Sequence, residues 1–191
     1  MAQNIDLPQS NERTSKGLWK TLRDAAAILG FLAIVYMLLS FLFMAGKDGD
    51  GEIDRLKADA TEFSTSHIWE TGVTDEGLER LRQNHPRLKR LVINGSSKIS
   101  DRGVEIIASF ENLDYLALQR FRNISESSLL HLSRLKNLKH LDLVGMPLTD
   151  KGLRNLSQIR SLKSLYISRV KSEQAEQLRA ALPNCSVELW N

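Results

Sequence analysis

The stretch Leu135–Leu148, LKNLKHLDLVGMPL, decides how this chain is read, because it returns with small changes at a nearly fixed interval. Its second leucine recurs as Leu88, Leu113, Leu138 and Leu162, spaced 25, 25 and 24 residues, and the next keeps step as Leu91, Leu116, Leu141 and Leu165. The segments between them open alike: VTDEGLERL from Val73, ISDRGVEII from Ile99, ISESSLLHL from Ile124, LTDKGLRNL from Leu148, and a weaker VKSEQAEQL from Val170. In Leu141-Asp142-Leu143 the alternation sends both leucines to one face and Asp142 to the other, the period of a strand. Leu153, Leu156 and Ile159 follow at three-residue steps, the stripe of a short helix. Thr74-Asp75, Ser100-Asp101 and Thr149-Asp150 offer side-chain oxygens where a helix's first amides lack partners, and so are expected to be N-caps.

One strand and one helix per unit cannot bury their own leucines, so neighbouring units must stack to close the core. A 20–29-residue period carrying L-x-x-L-x-L resembles the leucine-rich repeat family over roughly Val73 to Leu189. The openings V-T-D-x-G-L and the closing ALPNCSVEL from Ala181 look most like bacterial membrane-anchored members and the ribonuclease-inhibitor-like and cysteine-containing classes. The resemblance implies an α/β solenoid of four to five repeats, with a short parallel sheet on the concave face and helices outside. Where the family often places Asn or Cys after the strand, this chain has Ser96, Phe121, Met146 and Val170. A side-chain ladder at that place is therefore expected to be absent.

Outside the repeats, composition changes. Residues 1–24 are polar, carrying Arg13, Lys16, Lys20 and Arg23 with Asp6, Glu12 and Asp24, and are expected to be a flexible cytoplasmic tail. Three acids argue against a mitochondrial transit peptide. Residues 25–46, AAAILGFLAIVYMLLSFLFMAG, hold 22 residues without a charge, roughly 33 Å of helix against about 30 Å of hydrocarbon. A cleaved signal peptide fits less well, because Phe43 stands where a cleavage site ending at Ala45 needs a small residue. A buried core helix fits no better, since a repeat domain has no slot for a helix apolar all round. The expectation is one retained transmembrane helix. Residues 47–72 carry seven acids against three bases and are expected to form an acidic spacer followed by an N-terminal cap, with Ile68 aligned 25 residues before Ile93. The repeat domain then occupies 73–191.

Chemistry-bearing motifs are sparse. His67, His85, His131 and His140 fall in different units, the lone Cys185 has no partner for a disulfide, and no phosphate-binding loop is present, so no metal, cofactor or small-molecule substrate is expected. His140, Ser164 and Asp142 are the residue types of a serine hydrolase, but a flat ladder of strands does not aim them at one point, and catalysis is not expected. Four N-x-S triplets, at Asn94, Asn123, Asn155 and Asn184, are read as chance.

The non-leucine strand positions fall in rows: Arg90, Tyr115, His140, Ser164; then Val92, Ala117, Asp142, Tyr166; then Asn94, Gln119, Val144, Ser168. Tyr and Arg dominate binding energy at protein interfaces. Arg90, Tyr115, Gln119, His140, Asp142, Ser164 and Tyr166 are therefore the candidate contacts for an unidentified protein partner. A second reading rests on charge: 19 Lys and Arg against 13 Asp and Glu from Val73 onward, with Arg87, Lys89, Lys136, Lys139, Arg160 and Lys163 at the strand-entry edge. Such a rim suits anionic lipid headgroups or envelope polymers. Nucleic acid suits it less, because no ladder alternates aromatic and basic residues. A ubiquitin-ligase adaptor would need a helical module where the apolar span stands.

Lys and Arg number four in the fifteen residues before the span and three in the fifteen after it, which puts the N-terminus in the cytoplasm and the repeats outside. A reporter enzyme active only after export, fused behind Asn191, is expected to be active; activity from a cytoplasmic reporter alone would reverse the orientation.

Overall fold

The computed structural model describes residues 49–65 and 71–190, together with residue 35. The tail 1–24 and, apart from residue 35, the apolar stretch 25–46 lie outside the described residues, so the expected membrane span is not among them. Among the described residues no helix is long and apolar enough to cross a membrane.

The fold is α/β. Helix α1 (Gly49–Asp54) precedes strand β1 (Glu62–Ser64), after which strands and helices alternate: α2 (Asp75–Asn84), β2 (Arg90–Asn94), α3 (Asp101–Ile107), β3 (Tyr115–Gln119), a 3₁₀ helix (Ser128–Arg134), β4 (His140–Asp142), α4 (Asp150–Leu156), β5 (Ser164–Ser168), α5 (Ser172–Ala181) and β6 (Ser186–Trp190). The six strands form one parallel sheet in sequence order. Register follows the leucines: Leu91, Leu116, Leu141, Leu165 and Val187 stand level across β2 to β6. These five side chains, and Leu88, Leu113, Leu138 and Leu162 before them, are buried in one continuous core. A parallel strand pair needs a crossover, and the helix of each unit supplies both the crossover and the apolar cover.

The helices start where Thr and Ser were expected to cap them. Thr74 accepts a hydrogen bond from the Gly77 amide at 3.0 Å, Ser100 from Arg102 at 3.2 Å and Thr149 from Lys151 at 3.3 Å. The caps are also tied to the preceding unit. The Asp50 carboxylate accepts from the Thr74 amide at 2.9 Å and its hydroxyl at 2.7 Å. Asp75 accepts from Ser100 at 3.0 and 2.5 Å, and Asp101 from Ser125 at 2.6 and 2.6 Å. Glu126 accepts both bonds from Thr149, and Asp150 one from Gln174 at 2.5 Å. Each carboxylate thus sits beside the positive end of the next helix, where negative charge is favourable. Gly77, Gly103 and Gly152 keep that path clear, because a Cβ at each would fall on Asp50, Asp75 or Glu126.

The unit at Ile124 departs from this pattern. Ser128 stands where three of the other units have glycine, Gly77, Gly103 and Gly152, and its hydroxyl donates to the Ser125 carbonyl at 2.7 Å while its amide makes a three-residue turn to the same oxygen at 3.1 Å. The Ser125 hydroxyl bonds to Asp101 and Ser127. The turn tightens, and the expected α-helix is a 3₁₀ helix.

Of two further expectations, one lies outside the described residues and one is corrected. Ile68, aligned with Ile93 in the expected cap, lies outside the described residues, and it is Phe63 of β1 that stands in the leucine row: Phe63 pairs with Leu91 and is buried, and the Thr65 hydroxyl accepts from the Asn94 amide at 3.0 Å. The post-strand ladder is not wholly absent either, since the Ser96 hydroxyl donates to the Val73 carbonyl at 2.6 Å. At the opposite edge Asn112 donates to the Pro86 carbonyl at 3.2 Å, Asn137 to Glu111 at 2.9 Å and Ser161 to Leu135 at 3.2 Å. Phe121 and Met146 are instead buried and apolar.

These contacts decide the sign of a substitution. Gly103→Ala gains about 1 kcal/mol in helix propensity, but the new methyl displaces Asp75 from Ser100 and comes 2.6 Å from Ile99 Cγ2, a crowding that typically costs about 1–3 kcal/mol before the lost bonds are counted. The melting temperature is expected to fall; a rise would mean that the carboxylate contact contributes nothing. Acid tests the same contacts. Burial raises the Asp101 carboxyl pKa, but bonds from the Ser125 hydroxyl and amide outweigh it and leave the group below its ordinary 3.8. Its stabilising share is therefore full above the unfolded value and lost as pH falls through the lower folded one. Asp101→Asn should flatten the decline of melting temperature below about pH 4; an unchanged slope would remove Asp101 from the account.

Candidate functional site

Strands β2 to β6 turn their leucines toward the helices, so the remaining side chains line the other face of the sheet. The first row forms as aligned: Arg90, Tyr115, His140 and Ser164 stand level, and Ser186 of β6 continues it. Contacts run along it. The Arg90 guanidinium lies 3.5 Å from the Tyr115 ring centroid, the Tyr115 and His140 ring centroids are 6.0 Å apart, and His140 Nδ1 is 2.6 Å from Ser164 Oγ. A cation over an aromatic face and a hydrogen bond at the far end hold four side chains in one line.

The second row is Val92, Ala117, Asp142, Tyr166 and Glu188. Ala117 is buried, while Asp142 and Tyr166 are half-buried. Asp142 reaches sideways: its Oδ2 accepts from Gln119 Nε2 at 2.5 Å and its Oδ1 from the Val144 amide at 2.9 Å. The second bond ends β4 at Asp142, so Val144 does not extend the third row as expected. Ser168, also placed in that row, is buried, and its hydroxyl accepts from the Gly145 amide at 2.8 Å. Asn94 and Gln119 do stand level.

Six of the seven candidates are therefore drawn into contacts, Arg90 with Tyr115, His140 with Ser164, and Gln119 with Asp142, while Tyr166 lies beside Asp142 in register. His140 and Ser164 reach hydrogen-bond distance, closer than the flat ladder led one to expect. They are not a triad, because Asp142 is engaged by Gln119 and its own strand end rather than by His140.

The strand-entry rim is also assembled. Asp114, Lys139 and Lys163 follow Lys89 through successive amide bonds of 2.9, 2.8 and 2.7 Å to the preceding residue's carbonyl. Arg87, Lys89, Lys136, Lys139, Arg160 and Lys163 are all exposed, and Glu111 and Asp114 interrupt them. Cys185 is half-buried. Burial raises its thiol pKa despite the attraction of Lys163, so it stays a protonated thiol near neutrality.

Sequence reasoning missed β6 as a strand of the face, because Val187 lies only 22 residues after Leu165. The signal was the alternation in Val187-Glu188-Leu189. It also missed Arg120 and Arg169, whose backbones take φ of 62° and 57°. Neither a protein-family model nor a curated protein matches this chain.

Proposed function

We propose that this chain is a leucine-rich repeat solenoid, tethered to a membrane by one span at 25–46 with its repeats outside the cytoplasm, and that it binds another protein through the concave face of its sheet without catalysing a reaction. A six-stranded parallel sheet in sequence order, with the helix starts at Thr74, Ser100 and Thr149 bonded to a carboxylate of the preceding unit, supports the solenoid reading.

The observation that carries the binding reading is the linked row Arg90–Tyr115–His140–Ser164. Ordering a mobile side chain at an interface costs about 0.5–1.5 kcal/mol, and side chains already held by their neighbours have less of that cost left. Tyr115 and Tyr166 present amphipathic area on adjacent rows, and Arg90 and His140 add donors that suit carbonyl and carboxylate groups. The polar contacts leave this face compatible with water when no partner is present.

A photoactivatable crosslinker at Tyr115 or Tyr166, in cells, should capture the partner. Against that partner, Tyr115→Ala with Tyr166→Ala is expected to weaken binding by more than about 30-fold, the equivalent of a loss of about 2 kcal/mol at hot-spot positions. Lys136, Lys139, Arg160 and Lys163 changed together to Gln should alter it little. If the tyrosine pair changes nothing while the lysine and arginine set abolishes salt-sensitive binding, the concave-face reading gives way to electrostatic contact through the strand-entry rim.

A further inference from the structure

The open face differs in charge from the domain that carries it. From Val73 onward Lys and Arg outnumber Asp and Glu by 19 to 13. The strand positions turned away from the helices nevertheless hold Glu62, Asp142 and Glu188 against Arg90 alone. Arg90 already lies over the Tyr115 ring, its guanidinium carbon 3.5 Å from the centroid. The face is thus acidic within a basic domain.

Satisfaction is uneven along it. Arg90, Tyr115, His140 and Ser164 are linked to one another, but the far corner is open. Asp142, Tyr166 and Glu188 stand level on β4, β5 and β6, and Trp190, two residues beyond Glu188 on the same face, is 65% exposed. Among the described residues neither Asp142 nor Glu188 forms an ion pair. Among the same residues no cation lies over the Tyr166 ring and no hydrogen bond reaches its hydroxyl. Glu188 meets the Ser186 hydroxyl at a long 3.4 Å. Asp142 accepts from Gln119 and the Val144 amide, which occupies two of the roughly four acceptor sites of a carboxylate.

We infer that this corner receives an arginine side chain of the protein partner, its guanidinium stacked on Tyr166 between the carboxylates of Asp142 and Glu188. The inference rests on the concave-face reading above. Asp142 and Glu188 stand two strands apart, roughly 10 Å at the usual spacing, which brackets a planar guanidinium and leaves one of its edges to each carboxylate. The cation is attracted to the ring face, and its N–H groups to the carboxylates. Trp190 gives the arginine's methylenes an apolar wall while the charged head keeps its polar partners. The sheet already makes this stack once within itself, Arg90 on Tyr115; at Tyr166 the cation comes from outside. A lysine ammonium has no plane to stack, and a choline headgroup has no N–H to donate, so neither meets both requirements.

The test uses the full chain in uncharged detergent micelles and a fluorescein-labelled peptide of four Arg-Gly repeats, followed by anisotropy at low and physiological salt. Wild type should bind, more weakly as salt rises, and more tightly than it binds the Lys-Gly counterpart. Glu188→Gln should lose about threefold at low salt, and Glu188→Gln with Tyr166→Leu about tenfold or more. Tyr166→Phe keeps the ring and should bind as wild type does. Asp48, Glu52 and Asp59 changed together to their amides remove acidic charge from the spacer and should leave the affinity as it is. Argininamide should displace the peptide at a lower concentration than tetramethylammonium, the cation of a choline headgroup. The inference is overturned if wild type does not bind the arginine peptide or binds the lysine peptide equally well, if the double variant binds as wild type does, or if Tyr166→Phe weakens binding as the double variant does. It is overturned equally if the spacer variant abolishes binding instead, or if tetramethylammonium competes as well as argininamide. Against the partner captured by crosslinking, Glu188→Gln should also weaken binding; if it does not while the tyrosine pair does, the concave face stands and this corner alone is removed.

Discussion

The carboxylate that each helix hands to the next cap is the contact on which the arrangement of this protein depends. A capped helix satisfies its own first amides, and any Thr or Ser does that locally. Here the same hydroxyl accepts from its own helix and donates to a carboxylate about one period earlier in the chain, as Thr74 does between Gly77 and Asp50. Cap, helix start and neighbouring unit are thereby fixed by a three-part motif: Thr or Ser to receive, Asp or Glu to pass on, and glycine to leave room. The leucine core cannot do this alone. Hydrophobic burial is non-directional, and leucines level across a sheet would tolerate small shifts of one helix against the next that these bonds, at 2.5–3.0 Å, do not.

The unit at Ile124 shows what the glycine contributes. Glu126 still serves Thr149 and Ser125 still meets Asp101, so the chain of carboxylates is unbroken. What changes is the first turn, where Ser128 occupies the space and the helix tightens to 3₁₀ geometry with poorer hydrogen bonds. Register between units thus survives a local loss of helix quality, and the strand that follows, β4, still pairs Leu141 with Leu116 and Leu165.

The core and the rows of the open face were legible because they depend on spacing within about 25 residues. Leu91, Leu116, Leu141 and Leu165 imply the register, and the register implies that Arg90, Tyr115, His140 and Ser164 stand in line. Local chemistry was legible too, which is why Thr74, Ser100 and Thr149 cap helices as expected. The rest depended on side chains whose partners lie in another unit. Asp75 looks like part of its own helix cap, and nothing at its position says that it serves Ser100. Asp142 looks like one more polar row member, yet by taking the Val144 amide it ends its strand and removes Val144 from the row. The first strand was not legible because Phe63 stands in place of leucine, 28 residues before Leu91 rather than 25. The two left-handed arginines were invisible for a different reason: only their alignment with Gly95 and Gly145 marks the position, and that alignment is meaningful once φ is known.

The contacts that join the units and the rows of the open face lie on opposite sides of the sheet, and the division has exceptions that say where the open face is least free to change. The carboxylates, caps and glycines all belong to the helical layer, so Arg90, Tyr115 or Tyr166 can be replaced without touching them. Asp142 and Ser168 belong to both sides. Asp142 holds Gln119 on the open face and the Val144 amide at the end of β4, while the Ser168 hydroxyl takes the Gly145 amide of the neighbouring turn. These two residues between them satisfy the amides that β4 would otherwise have lost by ending early, and a buried amide left unpaired costs about 1–3 kcal/mol. The polar contacts at the centre of the face are therefore also what allows its middle strand to stop after three residues. That early stop gives the Gly145 turn its place between the two turns that carry Arg120 and Arg169.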